Sequence, residues 1–469
     1  MSERTFDVIV IGAGPAGEVA AGRLAEGGLS VAIVEPGLLG GECSFWACMP
    51  SKALLRPAEA LAEVARIPGA AEAVTGGLDV KATLARRDEV IHDLDDSGQV
   101  PWLEDKGIEI VREHGRLDGE RRVRAGDDVL VAGTAVLVAT GSGALIPPID
   151  GLRESEPWTN REITTTKEVP PRLAVLGGGV VGVEMAQAWS TLGSQVTLIE
   201  ALDTLLSREE PFAGEQVADS LRERGVEVRL GQKATKVSRS DGEVTVELEE
   251  GPAIEADELL VAIGRRPHTD DLGVDTIGLE PGEPIAVDDR MRATNVGGGW
   301  LYAVGDVNGR SLLTHMGKYQ ARACGSAIAA RARGEQVDGS PWAVGSATAD
   351  HDATPAVIFS SPVVGSVGRT EEQARNDGVN VRAVSYEIGN TAGGSLYADG
   401  YTGTAKIIVD EDTRKLVGAT FAGPGVEDLL HSATVAIVGE VTVDRLWHAV
   451  PSYPTISEVW LRLLETYGL

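Results

Sequence analysis

Two of the three cysteines in this 469-residue sequence, Cys43 and Cys48, fall in one run, GGECSFWACMPSK, with four residues between them. Such a pair can be a redox couple, half of a metal site, or two small core residues, since free cysteine is among the most buried residue types. A zinc site asks for four ligands at spacings such as C-x-x-C, and neither that spacing nor a second Cys or His cluster stands nearby. In a regular α-helix the two Cα atoms would lie roughly 8 to 9 Å apart, beyond the ~7 Å limit for a disulfide. Bridging them therefore requires a distorted helix start, and a strained, accessible disulfide is more reducible than a structural one. The third cysteine, Cys324, has no partner in sequence and reads as a core residue.

The elements that must position this pair begin at the N-terminus. FDVIVIG reads as a buried strand, GAGPAG as a glycine turn, EVAAGRLAEGG as a helix and SVAIVE as a second strand. Gly12, Gly14 and Gly17 make the G-x-G-x-x-G pattern: a tight turn, close approach of a pyrophosphate to the backbone, and close helix–strand packing. Glu35 ends the unit where a carboxylate can meet ribose hydroxyls. The same construction recurs in LAVLGGGVVGVEMAQAWSTLGSQVTLIE, with Gly177, Gly179, Gly182 and Glu200 at the same steps. One such pattern is weak evidence; two in strand–turn–helix–strand context, each ending in Glu, mean that two dinucleotides bind.

Between the copies lie Ala-rich helical stretches such as SKALLRPAEALAEVAR, the short strand GTAVLVATGS and the turn-rich linker IPPIDGLRESEPW. Strands are expected near residues 226 to 263, followed by WLYAVGD and the amphipathic helix THMGKYQARACGSAIAARA. From about residue 345 the pattern turns to strands and hairpins, then two helices, VEDLLHSATVAIVG and SEVWLRLLETYG, which reads as an α+β domain.

Composition bounds the function. A chain of this length divides into two to four domains. Its 43% hydrophobic and 24% charged residues are those of a globular protein in water, without an apolar run near the ~18 residues of a membrane span. The start MSERTFDVIV shows no secretory signal pattern, so a cytoplasmic location is expected. Three cysteines are too few for a secreted disulfide framework. A net charge of -29 repels phosphate backbones and anionic membrane surfaces, which argues against nucleic acid or lipid as a partner.

Taken together, GAGPAG with Glu35, GGECSFWACMPSK, ATGS, the second GGGVVGVE, AIGRRP, YAVGD, PAVIFSSPVVGSVG and YPTISE occur in the order that resembles the flavin-dependent pyridine nucleotide-disulfide oxidoreductases. That family includes lipoamide dehydrogenase, glutathione reductase and mercuric reductase. The resemblance spans the chain and implies an α/β fold with two Rossmann-like domains and a C-terminal α+β dimerisation domain. Residues 1–150 and 273–344 would form the FAD domain, 151–272 the NAD(H) domain and 345–469 the interface of a homodimer. FAD would be bound through the first glycine fingerprint, Gly41, Lys52, Gly115, Thr140, Gly141, Asp306 and His315; the nicotinamide nucleotide through the second fingerprint, Glu200 and Gly264. Lys52 and Glu184 would pair beside the flavin. Electrons would pass from NADH through FAD to Cys48, releasing Cys43 as the thiolate that exchanges with substrate. Glu200 favours a free 2′-hydroxyl, hence NADH over NADPH, because a carboxylate repels a 2′-phosphate.

The resemblance breaks at one position. Where disulfide reductases of the family carry a histidine before Pro-Thr, oriented by a glutamate, this chain has Tyr453 ahead of Pro454, Thr455 and Glu458. Tyrosine, with a pKa near ~10, is a poor base at pH 7. His448, five residues earlier, is a second candidate, with a structural histidine as the alternative. A tyrosine here is similar to mercuric reductase and the flavin transhydrogenase, although the chain ends LLETYGL without the cysteine pair typical of the former and keeps both redox cysteines, unlike the latter. Phe45 and Trp46 are also larger than usual and either shape a pocket or pack the helix. Three functions are therefore weighed: reduction of a disulfide, reduction of quinones, metal ions or NAD(P), and FAD binding without turnover.

Overall fold

The computed structural model describes residues 2–469 and divides into two compact units. The first comprises residues 2–50, Asp88–Ala144 and Arg265–His351; the second Ser51–Arg87, Leu145–Gly264 and Asp352–Leu469.

In the first unit the strand Glu3–Ile11 lies parallel to both Val31–Val34 and Asp128–Val138, with Glu109–Val111 outside Val31–Val34. Leu301–Ala303 adds to Asp128–Val138 in parallel, and Arg122–Ala125 and Gly115–Leu117 extend the sheet antiparallel to seven strands. Val8–Ile11 is buried on both faces, which is why the segment reads as a continuous apolar run rather than an alternating one. On one face Val8, Val10 and Ile33 pack with Leu24 of the helix Pro15–Glu26 and with Cys324 and Ile328 of the helix Thr314–Ala332. On the other, Ile9 and Ile11 pack with Val136 and Leu301. The helix Thr314–Ala332 is buried over a broad face and leaves His315, Lys318 and Arg322 exposed along a stripe. Cys324 is wholly buried, as a core residue should be.

The short strand expected at GTAVLVATGS is the end of an eleven-residue strand, Asp128–Val138, because its first half pairs with Arg122–Ala125 before its second half meets Leu301–Ala303. Ser142–Ala144 and Arg265–Pro267 form a separate two-stranded ribbon.

In the second unit Arg172–Leu176 is flanked by Gln195–Ile199 and Glu258–Val261, with Glu227–Arg229 outermost, all parallel. The helices Val180–Thr191 and Pro211–Glu223 cover this sheet, with Trp189 completely buried. Ala234–Ser240, Glu243–Leu248 and Ile254–Ala256 form a three-stranded antiparallel layer. A five-stranded antiparallel sheet follows, in which Thr404–Asp410 and Lys415–Ala422 make the central hairpin. The helices Val426–Val438 and Val459–Tyr467 pack on it. Among the described residues no helix is long and apolar enough to cross a membrane.

Candidate active site

The two glycine turns are built alike. Gly12 and Gly177 adopt φ +101° and +112°, and a Cβ on either would strike the carbonyl of Ala139 or Ala262 on the neighbouring strand. A side chain at Gly17 or Gly182 would run into the carbonyl of the first glycine, so the third glycine serves close packing. At Gly14 and Gly179, by contrast, a Cβ would meet nothing within 4 Å. These two positions are free of protein and face outward at helix N-termini, where backbone N–H groups and the helix dipole favour a pyrophosphate. Glu35 accepts hydrogen bonds from Ala13 N (2.9 Å) and Gly37 N (2.8 Å); Glu200 accepts from Gly178 N (2.6 Å) and Leu202 N (2.8 Å). Each acid is thus fixed against its own glycine loop with lone pairs left for ribose hydroxyls. The cradles fit two dinucleotides.

Gly41 opens the helix Gly41–Phe45 at φ +57°, and a Cβ there would lie 2.8 Å from Gly14 Cα. The absence of a side chain lets the cysteine segment close against the first glycine turn. That helix ends at Trp46, whose φ of -136° is not helical, and a new helix, Cys48–Val64, begins at Cys48. The break between the two cysteines is the distortion that a Cys43–Cys48 bridge requires. Both are half-buried free thiols. Thr314 Oγ1 lies 3.4 Å from Cys48 Sγ. The neighbouring Cys48 and burial push the Cys43 thiol up, and Thr314 and Lys318 act in the opposite direction. Phe45 is buried with its ring against Trp46, 5.8 Å between centroids, so it packs the helix.

Lys52 lies four residues beyond Cys48 on the same helix, and its Nζ donates to Glu184 Oε2 at 2.7 Å. Glu184 is 3% exposed; its second oxygen accepts from Phe359 N at 3.0 Å, while the ammonium lies 4.8 Å from the centre of the Phe359 ring. The pair is therefore held in place from two sides, as a buried charge needs.

At the ends of the first unit's strands, Asp306 accepts from Ser142 Oγ at 2.6 Å, and Arg265 Nε donates to the same hydroxyl at 2.7 Å. Thr140 Oγ1 donates to His268 O, and Gly141, at φ +71°, accepts from His268 N, which closes the ATGS turn. Gly115 sits where a Cβ would lie 3.0 Å from Ile11 and Val34 side chains. Gly264 accepts from Leu145 N at 3.0 Å. His315 is exposed in the first turn of its helix.

Glu458 is 6% exposed, and both its oxygens are engaged, by Ala392 N (3.2 Å) from a distant helix and by Arg462 Nη2 (2.7 Å) one turn on. Tyr453 is 77% exposed, and His448 is exposed. Sequence reasoning brought forward neither Thr314 nor Arg265. Thr314 heads the THMGKYQ helix, and the arginine stands in AIGRRP, so the motifs pointed to their neighbours. Among the described residues no group of three or more His, Cys, Asp or Glu is gathered as a metal site.

Comparison with known proteins places this geometry. Residues 6–334 match the family model "Pyridine nucleotide-disulphide oxidoreductase", and residues 354–463 match its dimerisation domain. A dihydrolipoyl dehydrogenase of Thermus scotoductus is 34% identical over 98% of this chain and 97% of its own. A mercuric reductase of Shigella flexneri is 32% identical over 100% of this chain and 82% of its own. The structure of the Cu(II) complex of RclA from Escherichia coli, an HOCl-induced flavoprotein disulfide reductase, superposes with a TM-score of 0.83 at 25% identity, covering 98% of this chain and 99% of that one. With two dinucleotide cradles and a paired dithiol, this chain belongs to the class I pyridine nucleotide-disulfide oxidoreductases, enzymes that use FAD and a pyridine nucleotide.

Proposed function

We propose that the chain is an NADH-dependent reductase that delivers electrons through the Cys43–Cys48 pair to a disulfide acceptor. The observation that carries this is the helix break at Trp46 between the two cysteines, with Thr314 Oγ1 3.4 Å from Cys48 Sγ. FAD, when bound, supplies two-electron chemistry between the nicotinamide and the disulfide. The chain's own part is to cradle it at Gly12, Gly14 and Gly17, to fix its ribose side at Glu35, and to offer Asp306 and Thr140 from the strand ends. Lys52, held by Glu184, stands one turn beyond Cys48 on the same helix. Reduction of the bridge leaves Cys43 as the exchanging thiolate and Cys48 as its partner. Glu200, held at the second turn without an arginine beside it in sequence, supports NADH preference.

The division into an FAD domain (1–150 and 273–344), an NAD(H) domain (151–272) and an interface domain (345–469) is part of the same reading. A homodimer is supported by the match of residues 354–463 to the dimerisation family and by exposed apolar residues in that segment, Leu396, Val435, Val450 and Tyr453 among them.

A second reading, transfer to a soft metal ion or a quinone, is favoured by Tyr453 and by the engagement of Glu458 with Ala392 and Arg462. Disulfide exchange asks for a group that returns a proton to the leaving thiol, whereas a metal ion bound by thiolates does not. Mercuric reductases and a Cu(II)-complexed reductase among the relatives support it. The purified protein, reduced by NADH, is assayed with lipoamide, small disulfides, mercuric ion, cupric ion and quinones in wild type, Cys43→Ser and Tyr453→His. Disulfide turnover lost in Cys43→Ser supports the first reading. Metal turnover with no disulfide reduction in wild type, and disulfide reduction gained in Tyr453→His, establishes the second.

A further inference from the structure

Lys318 lies within THMGKYQ and Glu18 opens the helix after the first glycine turn, and the motifs above give neither a role. Thr314 and Lys318 are four residues apart on one helix, and therefore on the same face. Thr314 Oγ1 reaches Cys48 Sγ, which puts Lys318 one turn along the side that faces the sulfurs. The helix Pro15–Glu26 runs close beside this one through small residues: a Cβ on Gly317 would lie 3.3 Å from the Ala16 methyl, and one on Gly325 would lie 2.8 Å from Arg23 Cβ. Glu18, in the first turn of that helix, has its Oε1 buried and without a hydrogen-bond partner.

We infer that Lys318 is a positioning residue for the redox dithiol, the cation that favours the Cys43 thiolate, and that Glu18 sets how much of that charge the sulfur feels. The inference rests on Cys43 and Cys48 being the redox pair. The charged and titratable groups acting on Cys43 are Cys48 from its own segment and Lys318, with the Thr314 hydroxyl, from the helix packed against it. On Glu18 the acting charge is Lys318. Burial pushes Glu18 up to about 7, so its carboxyl is largely neutral below that pH and anionic above it. A thiolate needs a nearby positive charge to form near neutral pH. With Glu18 neutral the full charge of Lys318 acts on Cys43; with Glu18 ionised part of it is cancelled. The step concerned is proton loss alone: Cys43 Sγ–H releases its proton to solvent and no electrons move.

The test follows alkylation of Cys43 by iodoacetamide in the FAD-loaded, reduced protein, site by site by mass spectrometry, from about pH 6 to 10 at low ionic strength, where an exposed cation is least screened. Lys318→Met should slow alkylation at pH 7 about fivefold and raise the pH midpoint, and Lys318→Arg should restore it to within about twofold. Glu18→Gln should move the midpoint the other way and speed alkylation above pH 7. Unchanged profiles in Lys318→Met, or shifts of the same sign in Lys318→Met and Glu18→Gln, would overturn the inference, since loosened packing moves both alike. Failure of the redox-pair reading has its own signature: no Cys43–Cys48 disulfide in the oxidised protein, whatever the alkylation profile.

Discussion

At the scale of single residues, a few side chains of the candidate site have their charge held by others. Glu184 is almost fully buried and makes its two hydrogen bonds to Lys52 Nζ and Phe359 N. Removing one partner of such a pair leaves a buried charge uncompensated, at a cost of about 3 kcal/mol. Lys52→Met is therefore expected to lower the unfolding midpoint and to slow reduction of the protein by NADH, whereas Lys52→Arg should keep most of the stability. Stopped-flow reduction and thermal melting check the two effects separately. A Lys52→Met protein that melts and reduces like wild type would show that the pair is incidental.

At the scale of elements, the two glycine turns give different outcomes for substitutions that look equivalent in sequence. A side chain at Gly12 must adopt a strained φ and strike the Ala139 carbonyl, so Gly12→Ala should cost folding itself. Gly14→Ala meets no protein atom within 4 Å and should leave the fold intact while weakening FAD retention by tenfold or more, of order ~1.4 kcal/mol. Gly179→Ala should raise the KM for NADH without changing the FAD content, which flavin absorbance reports directly. Equal loss of flavin in Gly14→Ala and Gly179→Ala would contradict the assignment of the two cradles. These elements were legible in sequence because each turn demands glycine at three steps and an acid at the end, and because buried parallel strands read as unbroken apolar runs. The helix break at Trp46 was legible only as a requirement, since the spacing of the cysteines demanded a distortion without locating it. Thr314 was not legible as a partner of the dithiol. Two elements distant in sequence meet there, and a threonine has no spacing rule that announces the meeting. Glu458 was legible as a motif residue, but its engagement with Ala392 and Arg462 depends on how its segment packs.

At the scale of the whole molecule the chain carries a net charge of -29, and a carboxyl in water ordinarily ionises well below neutral pH. A few buried carboxyls here depart from that. Burial pushes Glu59 up to about 7 despite Arg56, and Asp350 up to about 6 despite Arg310. A carboxyl raised in the folded state binds more protons there than in the unfolded chain at pH values between the two pKa values, so stability falls as pH rises through that window. For Glu59 the window runs from about 4.5 to about 7. Between pH 8 and pH 6 the protein should therefore become more stable on acidification, with Glu59 contributing on the order of 1 kcal/mol once partial solvent access is allowed for. Exposed carboxylates barely titrate in that range, and the seven histidines are shared by parent and variant. The difference between wild type and Glu59→Gln thus isolates the buried group. The apparent melting temperature of wild type should rise from pH 8 to pH 6, and Glu59→Gln should be the more stable protein at pH 8 with a shallower rise. A steeper pH dependence in Glu59→Gln than in wild type would mean that this carboxyl is ionised in the folded protein and held by Arg56 instead.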